Sequence, residues 1–212
     1  KAFDVVSMLL EEEQISAKAL SVFNFCIMDI KDKTTPTAEN STLMVVDMQE
    51  RLLPAIFEND TIIQAVQKLI TGAEILGVDV MITEQYPKGL GHTSKGLTYP
   101  PDVPIFEKDS FSCMMQSEIN DYLKKNGSHH LILCGVESHI CVLKTALDAA
   151  SKGYTVHVVA DAISSRTIEN KKYALMRMQQ SGIFIVSVEM ILFMLMDCAG
   201  TDQFRAISKL IK

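Results

Sequence analysis

The stretch LILCGVESHICVLKTALDAASKGYTVHVVAD, Leu131–Asp161, contains the unit from which the chain is built. An apolar run at Leu131–Val136 reads as a strand. It turns a corner into a helical pattern that lasts to Ala150 and stops at Gly153, and a second apolar run follows to Asp161. Gly153 stands where a helix has to end in the left-handed conformation, which a residue without a side chain adopts cheaply. The same order of helix, glycine and strand recurs in AVQKLITGAEILGVDVMIT through Gly77, in EINDYLKKNGSHHLILCGV through Gly127, and in ALMRMQQSGIFIVSV through Gly182. In the helix before Gly77, Ile63, Val66, Ile70 and Ala73 share one face.

The strand segments LMVVD, VDVMIT, PIFEK, LILCGV, VHVVAD and IFIVSV are short, and most are apolar at consecutive positions, the pattern of strands buried on both faces. The expected fold is α/β: a three-layer, doubly wound, Rossmann-type sandwich around a mostly parallel six-stranded sheet. Ligands of such sheets bind beyond the carboxyl ends of the strands. Those ends carry Asp47 with Gln49, Glu84 with Gln85, Lys108, Asp161 and, a few residues past its strand, Cys141. The pattern therefore gathers carboxylates, an amine and a thiol on one edge.

The 212 residues suit one core, with 48% apolar and 22% charged side chains. Residues 1–40 read as an extension, with an amphipathic helix around Val5–Leu20 and a polar connector, and residues 41–212 as the domain. A net charge of -6 with scattered lysines argues against nucleic acid as a partner. No apolar run approaches the roughly 18 residues that span a bilayer, which argues against a membrane. EMILFMLMDCAG, Glu189–Gly200, reads instead as a buried or interface helix. The opening KAFDVVSMLLEEEQ lacks the pattern of a signal peptide. Five cysteines at irregular spacing suit reduced thiols and a cytoplasmic setting. Twelve methionines suit an adaptable core or a subunit interface, so a homo-oligomer, dimer or tetramer, is expected.

A cysteine attacks as thiolate and needs a base and a supporting positive field. Cys141 is expected at a helix start with Ser138 as N-cap, Asp47 as proton acceptor and Lys108 as the cation. Cys26, Cys113, Cys134 and Cys198 read as packing residues. His92, His129, His130, His139 and His157 have no ligand-like spacing, so no metal site is expected.

The segments LMVVDMQERL, FEKDSFSCM and CGVESHICVLKTALDA resemble the signature segments of the isochorismatase-like cysteine hydrolases. TEQYPKGLGHT and DAISSR, followed by ALMRMQQSG, are most similar to the isochorismatase domain-containing proteins, and the resemblance covers Ser41–Lys212. It implies Asp47, Lys108 and Cys141 as catalytic residues. It also implies a cis peptide between Val136 and Glu137, with the backbone N–H groups of Glu137 and Cys141 as an oxyanion hole. Gln49, Gln85, His92 and Ser138 are candidates to line the substrate pocket. Metal-dependent relatives carry an Asp-x-His pair and a further histidine where this chain has TEQYPKGLGHTS, so neither metal nor cofactor is expected. The implied activity is metal-independent hydrolysis of a small-molecule amide or related C–N carbonyl compound through a thioester. Isochorismatases proper lack the corner cysteine, so that reaction is not expected. A catalytically silent interaction protein and a thiol redox sensor are the alternatives on the same fold.

Overall fold

The computed structural model describes residues 35–212, so the helix expected around Val5–Leu20 lies outside the described residues. The strands are β1 (Ser41–Val46), β2 (Asp79–Gln85), β3 (Ile105–Lys108), β4 (His130–Val136), β5 (Thr155–Ser164) and β6 (Phe184–Val186). The α-helices are α1 (Asn59–Leu76), α2 (Pro87–Leu90), α3 (Ser117–Lys125), α4 (Leu143–Ser151), α5 (Ile168–Gln180), α6 (Val188–Met194) and α7 (Asp202–Leu210). The sheet order is β3-β2-β1-β4-β5-β6, and every pairing is parallel.

Alternation along the strands divides the core in two. Leu43, Val45, Ile132 and Cys134 pack with Val66, Leu69 and Ile70 of α1 and with Ile191 and Leu192 of α6. Met44, Val46, Leu131 and Leu133 pack on the other side with Leu123 of α3, Ala146 of α4 and Met178 of α5. Both faces of the sheet are thus covered, which is why the strands are apolar at successive positions. The glycines that punctuate the sequence take the expected left-handed conformation, with φ of 74° at Gly77, 64° at Gly127, 92° at Gly153 and 77° at Gly182.

Several boundaries differ from the sequence reading. β5 continues past Asp161 to Ser164, through a register shift against β4. The helix expected over Glu189–Gly200 ends at Met194, and a separate helix, α7, begins after Thr201. Thr201 Oγ1 accepts from the Phe204 amide at 3.0 Å, an N-cap signal present in the sequence and overlooked there.

The winding direction reverses between β1 and β4, and their carboxyl ends form the switch point where ligands of open α/β sheets bind. Gly135 sets the spacing there. It pairs with Val46 at φ 106°, and a Cβ on it would stand 2.1 Å from the Val46 carbonyl oxygen. Gly135→Ala is expected to lower stability by at least about 3 kcal/mol in chemical denaturation. Gly127→Ala has a positive φ but open space around it, so its cost should stay near 1 kcal/mol.

Candidate active site

Asp47 follows β1 in the left-handed region, at φ 52°, a conformation costing about 1–3 kcal/mol for a residue with a side chain. Local bonds hold it there. Its amide donates to the Thr83 carbonyl at 3.1 Å, and its Oδ1 accepts from Thr83 Oγ1 at 2.8 Å. Oδ2 accepts from Lys108 Nζ at 2.7 Å, with neither side chain exposed to solvent. Lys108 arrives at the end of β3, across β2, and its ammonium also donates to Gln85 Oε1 at 2.8 Å and to the Ser110 carbonyl at 3.4 Å.

The Cys141 thiol faces the same Asp47 carboxylate closely enough for the two groups to act on each other. Thiol, carboxylate and ammonium are therefore brought together from beyond β4, from beyond β1 and from the last residue of β3. Burial pushes the Asp47 carboxyl up, while the Lys108 ammonium and the hydrogen bonds from Lys108, Cys141 and Thr83 oppose the rise. Burial works against the charge of Lys108 too, but Asp47 outweighs it and holds the ammonium charged.

The thiol departs from its expected state. Burial, and then the negative charge of Asp47, pushes Cys141 far above the ordinary thiol range, with Lys108 opposing. A helix start supporting the thiolate was the expectation; depth and the adjoining carboxylate work against that charge and favour the protonated thiol. Cys134 and Cys113 are also fully buried, and burial raises Cys113 to about 11.

The corner itself is not a capped α-helix. Val136–Glu137 is a cis peptide, and Ser138–Val142 forms a π turn ahead of α4. The Glu137 carbonyl accepts from the amides of Ile140 at 3.1 Å and Val142 at 3.2 Å, stepping over that of Cys141. Ser138 caps neither element: its hydroxyl is buried and has no partner among the described residues. The Glu137 side chain, which the sequence reading left out, accepts from Arg166 through its amide at 3.1 Å and its Nε at 3.0 Å. His139 Nδ1 lies 3.0 Å from Ser165 Oγ, so three bonds from two side chains tie the corner to the loop after β5.

The expected pocket residues separate. Gln85 reaches Lys108. Gln49 is fully buried and engaged at both ends of its amide, accepting from the Gln85 amide at 2.7 Å and donating to the carbonyls of Gln85 at 3.0 Å and Gly91 at 2.6 Å. Its task is to clamp the loop after β2. His92 is mostly exposed and lies 2.9 Å from Glu84 Oε2, while Glu84 Oε1 accepts from Thr93 through its amide at 2.6 Å and its hydroxyl at 2.7 Å. Of the other strand-end carboxylates, Asp161 accepts from the Val188 amide at 2.9 Å and so caps α6. His130 and His157 meet away from the site, 3.0 Å apart, and burial pushes His157 down to about 4. Among the described residues no three His, Cys, Asp or Glu side chains form a metal-binding group. Thr83 was missed as a site residue, although a threonine closing the apolar run VMIT, beside the end of β1, is a readable signal.

The chain matches the family model described as Isochorismatase domain over residues 41–190. It is 44% identical over 179 residues to the secreted isochorismatase effector Isc1 of Phytophthora sojae, covering 82% of this chain and 85% of that protein. It is 37% identical to isochorismatase domain-containing protein 1 of Danio rerio over 87% of this chain, spanning 65% of that longer protein. Among solved structures, one described as the MAR1 ribonuclease of Caenorhabditis elegans superposes with a TM-score of 0.78 and 38% identity, covering 84% of this chain and 92% of that one. With the fold, the family model and these relatives in agreement, the chain belongs to the isochorismatase family.

Proposed function

We propose that the chain is a cysteine hydrolase that cleaves a small amide or related C–N carbonyl compound through a thioester on Cys141. One observation carries the reading: a buried thiol set beside a buried carboxylate that is itself anchored by a buried ammonium. Asp47 takes the thiol proton as the sulfur attacks the carbonyl carbon, so no free thiolate accumulates. The oxyanion is received by the N–H groups of Glu137 and Cys141, beside the cis peptide and the π turn. As the C–N bond breaks, Asp47 hands its proton to the departing amine. Water then gives a proton to Asp47 and adds to the thioester, and the Cys141 sulfur leaves and recovers that proton. Lys108 remains charged throughout and keeps Asp47 in place. These steps use neither metal nor cofactor.

The competing readings have less support. A redox-sensing thiol needs ready ionisation and access, whereas Cys141 is buried with its pKa raised. The ribonuclease description belongs to the worm protein; a net charge of -6 does not favour carrying it to this chain. Isochorismate cleavage gives no task to a thiol beside Asp47. Homo-oligomeric assembly is proposed on the exposed Met190 and Phe193 of α6. Among the described residues no helix is long and apolar enough to cross a membrane. Free thiols at Cys113, Cys134, Cys141 and Cys198 favour a reducing compartment such as the cytoplasm, although the Phytophthora sojae relative is described as secreted.

A panel of small amides assayed for ammonia or amine release should show turnover that Cys141→Ala abolishes and Asp47→Asn lowers by about 10²–10⁴-fold in kcat; turnover unchanged in Cys141→Ala would end the proposal. Because the Asp47 carboxyl is raised, the acid limb of kcat/KM should lie above the ordinary aspartate value of about 3.9. Activity is lost as the pH falls through that limb, since a protonated Asp47 cannot accept the thiol proton. Lys108→Met leaves a buried carboxylate unpaired and should cost about 3–5 kcal/mol in denaturant titration. Adding Asp47→Asn to it should restore much of the stability but none of the activity.

A further inference from the structure

We infer that the substrate is a neutral amide bearing an apolar substituent, and that Phe111 and Met115 set this preference; the inference rests on reading Cys141 as a nucleophile at a carbonyl. Charge at the site edge argues first. Lys108 is engaged by Asp47 and Gln85, and Arg51 Nη1 donates to the carbonyls of Lys88 at 3.4 Å and Gly89 at 3.1 Å. Arg166 is bonded to Glu137, and His92 to Glu84. A substrate carboxylate would have to approach the buried Asp47 while these cations stay with partners they already have. The balance favours an uncharged ligand.

The apolar surface argues second. Phe57, Tyr86, Phe111 and Met115 are exposed, and all four stand in loops leaving the carboxyl ends of β1, β2 and β3. Bonds attach them to the site. The Tyr86 amide donates to the Lys108 carbonyl at 2.9 Å, and the Phe57 amide donates to the Ser165 carbonyl, also at 2.9 Å, next to the hydroxyl that meets His139. Tyr86 holds a left-handed φ of 39°. Phe111, at 57% exposure, and Met115, at 71%, flank Cys113, whose amide donates to Thr145 Oγ1 at 3.0 Å. Thr145 lies one turn beyond Cys141 on α4, so this bond fastens the Phe111–Met115 segment against the helix that the thiol introduces.

Two buried hydroxyls add a third observation. Ser112, between Phe111 and Cys113, and Ser138, on the corner, are almost fully buried, and neither hydroxyl has a partner among the described residues. Buried hydroxyls without partners are costly and call for one.

The probes are acetamide, butyramide, phenylacetamide and succinamate, compared by kcat/KM in the intact protein and by calorimetric binding to the Cys141→Ala protein. Selectivity should rise about two- to fourfold per added methylene, the range for partial to full burial of each group. Phenylacetamide should exceed succinamate by about tenfold or more, and the phenylacetamide-to-acetamide ratio should fall at least about fivefold in Phe111→Ala/Met115→Ala. If none of the amides turns over but the binding order holds and is lost in that double variant, the nucleophile reading fails, while the preference of the site for a neutral apolar ligand, set by Phe111 and Met115, stands. A preference for succinamate, no dependence on chain length, or a ratio unchanged in the double variant overturns it. The last result, accompanied by altered sedimentation, would assign the two side chains to a contact between copies.

Discussion

The buried ion pair between Lys108 and Asp47 is the interaction on which the site depends. Two charges without solvent carry a desolvation cost of several kcal/mol each, which only close geometry and further hydrogen bonds offset. Here the carboxylate accepts from Lys108 and Thr83, with the Cys141 thiol close by, and the ammonium is also bonded to Gln85 and Ser110. Such a pair is a poor device for stability, since a hydrophobic pair of similar volume would often serve as well. In the proposed hydrolysis the pair has a use all the same: it gives the thiol a desolvated and immobile base.

The fold supplies the means of bringing these groups together. A parallel sheet whose winding reverses at β1 and β4 directs the loops of four strands to one edge, and close approach of those two central strands requires Gly135. Asp47 then turns into a left-handed conformation that Thr83 stabilises from the neighbouring strand. The corner after β4 is tied by Glu137 and His139 to the loop after β5, which fixes the backbone around Cys141. Local strain at Asp47 and Tyr86 is tolerated because neighbouring strands determine both positions.

Much of this architecture was legible in the sequence. Glycines closing each helix and consecutive apolar residues in the strands identify a parallel α/β sheet, because both patterns follow from local backbone and burial rules. Asp47, Lys108 and Cys141 could be placed on one edge because each lies at or just past the end of a strand. What escaped depends on contacts between distant segments. Gln49 has the composition of a pocket residue, but its three backbone bonds are set by the loop after β2. Ser138 has the identity of an N-cap, yet the π turn moves the start of α4 to Leu143. The depth of the thiol escaped as well, because a helix start is visible in sequence and burial is not.

The proposed mechanism requires that Cys141 rest as a protonated thiol beside Asp47 and ionise only as it attacks. The direct measurement is the ultraviolet thiolate absorbance of the intact protein against pH, taken as the difference from Cys141→Ser. No thiolate signal from Cys141 is expected through and beyond the ordinary thiol value of about 8.5, while the protein stays folded. A titration of Cys141 at or below that value would contradict it, and would make the site a pre-formed thiolate with Lys108 as its counterion.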